Sequence, residues 1–181
     1  RDKEYPIDNS LIGKINRRKG NSLKTSEVLD IKNGSFIGGL TKNEKRNVAL
    51  KVPKWNSEKC IQCGKCAVVC PHAAIRPFLV KDGNGPDALG AKDYQFIISI
   101  STSDCMGCGL CADACDQGGI ELVDNNTSTD DKTKELFEKY ENPKILPKFS
   151  IKGSQLEKPK FKFSGACAGC GEAVYIKLLT Q

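Results

Sequence analysis

Apolar residues occur along this chain in short runs that polar and glycine-rich stretches separate. Three of these runs combine β-branched and aromatic residues, and we predict strands at residues 75–80, 96–100 and 120–123. Further along, Leu136, Phe137 and Tyr140 have the i, i+1, i+4 spacing of one helix face, which predicts a short helix. The chain is therefore expected to combine strands with short helices.

Two segments in the middle of the chain repeat one pattern. CIQCGKCAVVCPHAAI, residues 60–75, aligns without gaps with CMGCGLCADACDQGGI, residues 105–120. The match includes four cysteines, a glycine and an isoleucine, and a predicted strand follows each copy. Two copies of one supersecondary unit imply pseudo-twofold symmetry. We therefore predict one α+β domain at residues 56–123.

The segments on either side of this domain are more polar. Residues 1–55 are basic, and we interpret them as an N-terminal linker that wraps onto a larger protein. Turn-forming residues make 81–93 a predicted surface insertion. Repeated proline and lysine make 124–163 a predicted linker around the short helix. A distinct apolar segment, residues 164–181, is expected to begin a further domain.

The ten cysteines are far more than an ordinary intracellular protein keeps, so their spacing needs a chemical explanation. Nothing at the N-terminus resembles a secretory signal, which weakens a disulfide interpretation. A structural zinc site joins two separated C-x2-C pairs, whereas each repeat has a third cysteine two residues later. The pattern favours iron–sulfur clusters over the zinc and disulfide alternatives.

The net charge of +6 counts every cysteine as a neutral thiol. A [4Fe–4S] core held by four thiolates has a formal charge of about −2, so two clusters would bring the total to about +2. The sequence has no stripe of basic residues alternating with aromatic ones, and we expect no nucleic-acid partner. The longest apolar run, residues 66–70, is much shorter than the about twenty residues of a membrane-spanning helix. We therefore expect no membrane segment.

Both repeats read C-x2-C-x2-C-x3-C, and the first continues into Pro71, as in bacterial two-[4Fe–4S] ferredoxins. In this pattern three thiolates on a tight loop bind one cluster, and the fourth cysteine reaches the other cluster. The predicted ligands are Cys60, Cys63, Cys66 and Cys115 for cluster A, and Cys70, Cys105, Cys108 and Cys111 for cluster B. Glycines inside the loops should let backbone N–H groups approach the sulfurs, and these are Gly64, Gly107 and Gly109.

A separate C-x2-C pair, Cys167 and Cys170, lies in the C-terminal segment. Two thiolates cannot complete a cluster. From these residues alone, three interpretations stay open: half of a third metal site, a redox-active dithiol, and incidental free thiols. The nearby Glu172 is more typical of a solvated carboxylate than of a catalytic group, and no residue is predicted to be catalytic.

Three stretches, in this order, resemble consecutive motifs of the pyruvate:ferredoxin (flavodoxin) oxidoreductase family. They are VPKWNSEKCIQCGKCAVVCPHAAIRPF, SDCMGCGLCADAC and KFSGACAGCGEAVYIKLLTQ. The resemblance implies oxidative decarboxylation of pyruvate to acetyl-CoA with thiamine diphosphate and Mg²⁺. It also implies three [4Fe–4S] clusters that pass the electrons to ferredoxin or flavodoxin. An electron-transfer role is therefore expected.

The resemblance further assigns roles to individual residues. It makes clusters A and B the medial and distal clusters of the family, and it makes Cys167 and Cys170 two ligands of the proximal cluster. It implies that Glu172 contacts thiamine diphosphate, and that residues 164–181 are the truncated start of the thiamine diphosphate-binding domain. One departure stands out, because Asp116 follows Cys115 where the family commonly has proline. An added carboxylate there is expected to lower the potential of cluster A.

The remaining expectations concern the whole enzyme. This chain alone should not be catalytically competent, and its partners should be the rest of the oxidoreductase polypeptide and the electron acceptor. The resemblance implies a homodimer in the cytoplasm, or in a hydrogenosome or similar organelle of a eukaryote. Alternatives are an independent dicluster ferredoxin-like carrier, the matching part of a pyruvate:NADP oxidoreductase, and a truncated gene product with only a structural or regulatory role.

Overall fold

The chain divides into two compact units. The structure is a computed structural model, and it describes residues 11–35, 46–126 and 131–181. The first unit is Arg1–Arg46 and the second is Asn47–Gln181. No helix in the described part of the chain is long and apolar enough to cross a membrane.

The first unit contains only short helical segments where it is described. Helix α1 covers Leu11–Asn16, and 3₁₀ helices follow at Gly20–Ser22 and Thr25–Ile31. Lys14 and Glu27 form an ion pair that joins α1 to the 3₁₀ helix Thr25–Ile31. The hydrogen bond from Lys14 lowers the pKa of the Glu27 carboxyl, and the backbone N–H of Lys24 lowers it to a smaller extent.

The linker predicted at residues 1–55 is only partly supported. Residues 1–10 and 36–45 lie outside the described residues, but Lys51–Trp55 forms strand β1, which pairs antiparallel with strand β4 at Ile120–Asp124. The predicted domain boundary at residue 56 therefore cuts through a sheet. β1 belongs to a two-stranded sheet, and a proline such as Pro53 is tolerated on an edge strand because its missing N–H can face solvent.

The other elements of the second unit follow the repeat. They are α2 Lys65–Val68, β2 Ile75–Val80, β3 Gln95–Ile100, α3 Leu110–Asp113, α4 Asp131–Glu138, α5 Ile151–Leu156 and α6 Gly171–Leu179. The three strands predicted from apolar runs are confirmed to within one residue. The predicted short helix is α4, which buries Leu136 and Phe137. Strands and helices together give the mixed α and β composition that the sequence predicts.

The strand pairing is symmetric about the two cysteine repeats. β1 precedes the first repeat and pairs with β4, which follows the second repeat. β3 precedes the second repeat and pairs with β2, which follows the first, in the register Ile75 opposite Ile100. Both pairs are antiparallel, and helices α2 and α3 contact each other. This arrangement agrees with the predicted pseudo-twofold symmetry and brings the two repeats together.

Two apolar clusters form the core on the two faces of β2, whose residues are all buried. The larger cluster includes Ile75, Leu79, Phe96, Ile98 and Ile120, and the cysteine loops pack against it. The smaller cluster holds α4, with the rings of Phe78 and Phe137 5.6 Å apart. A fully buried aliphatic or aromatic side chain contributes about 1.5–3 kcal/mol, so β2 is central to stability.

The linker predicted at residues 124–163 is packed against the domain over much of its length. Helix α5 contacts α2 and β2 and buries Gln155 and Leu156. Asn142 accepts a hydrogen bond from the Leu79 backbone N–H at 2.8 Å and donates one to the Leu156 carbonyl at 2.8 Å. Residues 127–130 lie outside the described part. The sequence is polar here because side-chain hydrogen bonds, as well as apolar contacts, hold the segment.

The surface insertion predicted at residues 81–93 is partly buried. It connects β2 to β3, but Ala88 and Ala91 lie in the larger core cluster. The Gln62 side chain donates to the Asp87 carbonyl at 2.7 Å and accepts from the Leu89 N–H at 2.8 Å. This connection therefore covers the first cysteine loop, where a solvated loop was expected.

Candidate metal centres

Each cysteine loop turns into its short helix through a left-handed glycine. Gly64 precedes α2 with φ 78°, and Gly109 precedes α3 with φ 83°. Glycine adopts this conformation without the steric penalty of a Cβ atom. The third cysteine of each repeat is then the second residue of its helix, Cys66 in α2 and Cys111 in α3.

A second left-handed position lies inside each loop, and only one copy has glycine there. Gly107 has φ 69°, and the matching residue of the first repeat is Gln62, with φ 57°. Gln62 is 4% exposed, and its side-chain hydrogen bonds to residues 87 and 89 are joined by one from Lys152 at 3.1 Å. Sequence analysis did not identify Gln62, although its alignment with Gly107 was a usable signal.

Backbone N–H groups point at three cysteine sulfurs, and of the three loop glycines singled out from the sequence only Gly107 is among the donors. Thiolates, when ligated, accept such bonds and become less electron-rich. The bonds are Gln62 N–H to Cys60 Sγ at 3.4 Å, Gly107 N–H to Cys105 Sγ at 3.4 Å, and Gly119 N–H to Cys115 Sγ at 3.2 Å. The bonds to Cys60 and Cys105 occupy equivalent positions in the two repeats.

The fold brings together the four cysteines predicted for cluster A. Cys66 interacts electrostatically with Cys60 and Cys63 of its own loop and with Cys115 of the other repeat. Cys115 thus belongs, by position, with the loop of the first repeat. Burial, and then the neighbouring Cys60 and Cys63 thiols, raise the pKa of Cys66 to about 12. Ligation there has to displace a proton from the thiol.

The four cysteines predicted for cluster B are grouped in the same way. Cys111 interacts with Cys105 and Cys108 of its loop and with Cys70 of the first repeat, and it also interacts with Cys66 of the other group, more strongly than with Cys108. Burial raises the pKa of Cys111 to about 12 and that of Cys105 to about 11. The two groups of thiols therefore adjoin each other, and the fourth cysteine of each repeat lies in the group of the other repeat.

A cavity lies at the cluster B thiols. It has about 410 Å³ of empty space, part of it open to solvent, and its lining includes Cys70, Cys105, Cys108 and Cys111. Apolar side chains such as Ile75, Met106 and Leu122 form most of the rest. Four thiols around an apolar cavity fit the donor set of a [4Fe–4S] cluster. The described residues contain no group of three or more His, Cys, Asp or Glu side chains suited to a single metal ion.

The C-x2-C pair lies beside the second cysteine loop. Gly169, between the two cysteines, is so close that an added Cβ would be 3.5 Å from the Cys108 Cβ. The buried His72 forms a hydrogen bond of 3.2 Å between its Nε2 and the Cys167 carbonyl, and Ser164 Oγ lies 3.4 Å from its Nδ1. The structure thus brings the pair close to the cluster B thiols.

The two cysteines of this pair differ in exposure. Cys167 is exposed, and Cys170 is half-buried at the N-cap of α6. Glu172 is exposed in the first turn of α6. The cysteine and glutamate roles implied by resemblance therefore remain predictions, since their other partners are not among the described residues.

Lys177 is a buried cation that sequence analysis did not identify. It lies on α6 and is 1% exposed. Its Nζ donates to the carbonyls of Ala67 at 2.5 Å, Val68 at 2.8 Å and Cys70 at 2.9 Å. Burial lowers the pKa of Lys177 to about 8, although the Cys70 and Cys66 thiols act in the opposite direction. The usable signal was a single lysine within the otherwise apolar AVYIKLL.

The carboxylate of Asp116 does not act alone on cluster A. Lys65 Nζ lies 2.5 Å from Asp116 Oδ2, and this hydrogen bond raises the pKa of Lys65. Both side chains are more than half exposed. The paired ammonium group and water therefore oppose the lowering of the cluster A potential that the sequence predicts for Asp116.

We predict a small rise in the cluster A potential for Asp116→Asn, because the substitution leaves the positive charge of Lys65 uncompensated. The ratio of reduced to oxidised cluster at a fixed potential should change by roughly threefold or less, since exposed charges are screened. Lys65→Gln should lower the potential by a similar amount. A mediated redox titration followed by EPR measures both, and a rise in each variant would contradict the pairing.

Comparison with known proteins identifies an iron–sulfur family over the two cysteine repeats. The family described as "4Fe-4S dicluster domain" matches residues 59–119. The chain is 43% identical over 180 residues to the pyruvate-flavodoxin oxidoreductase of Enterobacter agglomerans, covering 92% of this chain and 15% of that protein. It is 40% identical over 183 residues to the pyruvate:ferredoxin oxidoreductase of Moorella thermoacetica, covering 92% of this chain and 16% of that protein.

A third relative has a different name. The chain is 39% identical over 176 residues to the mitochondrial pyruvate dehydrogenase [NADP(+)] of Euglena gracilis, covering 90% of this chain and 10% of that protein. The chain thus spans about a sixth or less of the length of these curated relatives. It contains a 4Fe-4S dicluster ferredoxin-like domain and is a homologue of one segment of the pyruvate-flavodoxin and pyruvate:ferredoxin oxidoreductases.

Proposed function

We propose that this chain is the iron–sulfur electron-transfer segment of a pyruvate:ferredoxin or pyruvate:flavodoxin oxidoreductase. In the complete enzyme, thiamine-dependent oxidative decarboxylation of pyruvate to acetyl-CoA releases electrons. Two bacterial-ferredoxin-type [4Fe–4S] clusters on this chain, when bound, each accept and donate one electron at a time. The chain conducts these electrons towards ferredoxin or flavodoxin.

One observation carries this proposal: the eight repeat cysteines fall into two groups of four that exchange one member. Cys66 neighbours Cys115, and Cys111 neighbours Cys70, in agreement with the crossed ligand pattern of two-cluster ferredoxins. A zinc site or a set of disulfides gives no reason for this exchange. We therefore propose clusters A and B with the ligands that the sequence predicts.

The protein around these thiols is suited to tuning potentials. Backbone N–H groups of Gln62, Gly107 and Gly119 donate to ligand sulfurs and so favour the reduced clusters. The apolar lining near cluster B excludes water, which favours the less charged oxidised state. Crossed ligation also fixes the two clusters relative to each other, because each loop contributes to both.

The contacts of the C-x2-C pair support an order for the electron path. Gly169 packs against Cys108, so a third cluster on Cys167 and Cys170 would lie next to cluster B. The resemblance implies that cluster A is the medial cluster and cluster B the distal one; because of the contact between Gly169 and Cys108, we propose the reverse order, with cluster B medial and cluster A distal. Electrons from the thiamine site would then cross this chain in the order third cluster, B, A.

The rest of the catalytic machinery is proposed to lie on other parts of the polypeptide. These parts would supply the remaining ligands of the third cluster, thiamine diphosphate with Mg²⁺, and the pyruvate site. Glu172, exposed at the start of α6, is proposed to face the thiamine diphosphate. We propose that the complete enzyme is a homodimer in the cytoplasm, or in a hydrogenosome or similar organelle of a eukaryote.

A second candidate is the corresponding segment of a pyruvate:NADP oxidoreductase. The relative from Euglena gracilis, whose name includes NADP(+), favours it. Both candidates use the same clusters and differ in the final electron acceptor. Steady-state reduction of flavodoxin, ferredoxin or NADP⁺ by the complete enzyme distinguishes them.

Anaerobic reconstitution of this chain with iron and sulfide tests the proposal. We expect about eight iron and about eight acid-labile sulfide per chain, four of each per cluster. Reduction should give two paramagnetic centres whose EPR signals are split by mutual interaction. A double variant, Cys167→Ser with Cys170→Ser, is the matched control and should keep both clusters. Colourless protein that binds zinc in place of iron would exclude the proposal.

A further inference from the structure

Lys177 joins helix α6 to the first cysteine repeat. Its Nζ reaches the carbonyls at the C-terminal end of α2 and just beyond it, those of Ala67, Val68 and Cys70. The last carbonyls of a helix lack intrahelical donors and carry partial negative charge. Two of these oxygens also accept from backbone N–H groups, Ala67 O from Cys70 at 3.3 Å and Cys70 O from Ala73 at 3.4 Å, and Lys177 adds a charged donor from another element to all three.

The number of acceptors defines the protonation state of this amine. Three carbonyl oxygens lie 2.5–2.9 Å from Nζ. A neutral amine has two N–H donors, whereas an ammonium group has three. All three contacts are satisfied together only by the cation. With 1% of the residue exposed, this charge is screened much less than that of a surface lysine.

The position of this cation is central to the proposed metal centres. The three carbonyls belong to the chain between Cys66, a proposed ligand of cluster A, and Cys70, a proposed ligand of cluster B. Both thiols act electrostatically on Lys177. The same helix begins at the N-cap Cys170, so α6 connects this point with the C-x2-C pair.

We propose that Lys177 is a positioning residue that holds the segment between Cys66 and Cys70 and, as a buried cation beside both proposed clusters, raises their reduction potentials. Reduction adds one negative charge to a cluster, and a nearby poorly screened positive charge stabilises that state. The inference rests on the proposed function, because it requires that the two thiol groups hold [4Fe–4S] clusters.

Lys177→Gln in the reconstituted 181-residue chain tests the inference. Glutamine keeps two N–H donors, one bond closer to the backbone than the lysine nitrogen, and has no charge. We expect both midpoint potentials to fall, with the ratio of reduced to oxidised cluster at a fixed potential decreasing about tenfold, which is about 59 mV for a one-electron couple. Lys177→Arg returns the charge and should restore both potentials. EPR-monitored redox titration against a chemical reductant gives the values.

The matched control removes an equal charge from an exposed residue. Lys59 precedes Cys60 and is 53% exposed in a 3.5 Å ion pair with Glu121, and Lys59→Gln should change the potentials less than threefold on the same scale. Equal shifts in Lys59→Gln and Lys177→Gln would overturn the inference. Unchanged potentials in Lys177→Gln at full iron content would also overturn it.

The outcomes separate this inference from the proposed function. If the parent chain binds no [4Fe–4S] cluster, the proposed function fails. If the parent chain binds two clusters and Lys177→Gln binds fewer, the Lys177→Arg variant decides. Two clusters with the parent potentials in Lys177→Arg would support a requirement for the cation. Loss of a cluster in Lys177→Arg would overturn the inference. Potentials that fall in Lys177→Gln and return in Lys177→Arg point to the charge of the side chain, because a role in packing alone does not require a charge.

Discussion

Cys115→Ala is expected to remove cluster A and leave cluster B, although Cys115 lies in the second repeat. The three other thiols of its group, Cys60, Cys63 and Cys66, cannot complete a four-thiolate site without it. Iron and sulfide should fall from about eight to about four per chain. The splitting of the EPR signals should disappear, because only one paramagnet remains after reduction.

Double variants make this crossing directly visible. Cys60→Ala combined with Cys115→Ala should lose no more iron than either single variant, since both cysteines belong to cluster A. Cys105→Ala combined with Cys115→Ala should lose both clusters. The two double variants are matched, because each carries two Cys→Ala substitutions and they differ only in which cysteine is combined with Cys115. If ligands stayed within their own repeat, the two results would be exchanged, and the assignment of Cys115 and Cys70 would be refuted.

Removal of both clusters is expected to unfold most of the second unit. The main apolar cluster contains Cys111, and four other ligand cysteines pack against it. Its sheets have only two strands each, and an isolated two-stranded sheet is marginally stable in water. Small domains often depend on metal sites for their stability. Without the clusters, the thiol groups would no longer be held together.

Hydrogen exchange measures this dependence. In the loaded chain, the amides of β2 and β3 should be protected, and iron removal should reduce their protection by a hundredfold or more, about 2.7 kcal/mol. The double serine variant of the C-x2-C pair serves as a control, since its protection should equal that of the parent. Equal protection with and without iron would mean that apolar packing alone stabilises the domain.

The repeat made much of this fold predictable. The cysteine spacing predicted two loops with crossing fourth ligands, and the structure groups Cys66 with Cys115 and Cys111 with Cys70 in the corresponding way. Period and composition also identified β2, β3 and β4. These features depend on local sequence, and the spacing of cysteines and the periodicity of apolar residues indicate them directly.

Other features depend on contacts between distant residues. The polar and basic composition of residues 1–55 predicts a linker over β1, and only the pairing of β1 with β4 explains the strand. The polar sequence of α5 gave no apolar period, and its burial follows from packing on α2 and β2. Such pairings cannot be derived from a single segment considered alone.

Two residues of the candidate site show the same limitation. Gln62 adopts a conformation that glycine usually occupies, and its hydrogen bonds to residues 25 and 27 positions away hold it there. Lys177 reaches carbonyls as many as 110 positions earlier in the chain. Nothing in the neighbouring sequence of either residue identifies these partners, so their roles emerged only from the fold.

The reciprocal pairing of the strands has a consequence for biosynthesis. The first repeat is translated before β4 and Cys115, so until they are made β1 lacks its strand partner and the first loop lacks its fourth ligand. Cluster insertion should therefore wait until translation has passed the second repeat. A nascent polypeptide arrested between the repeats should carry no stable cluster, and iron delivery to this region should be a late, single event.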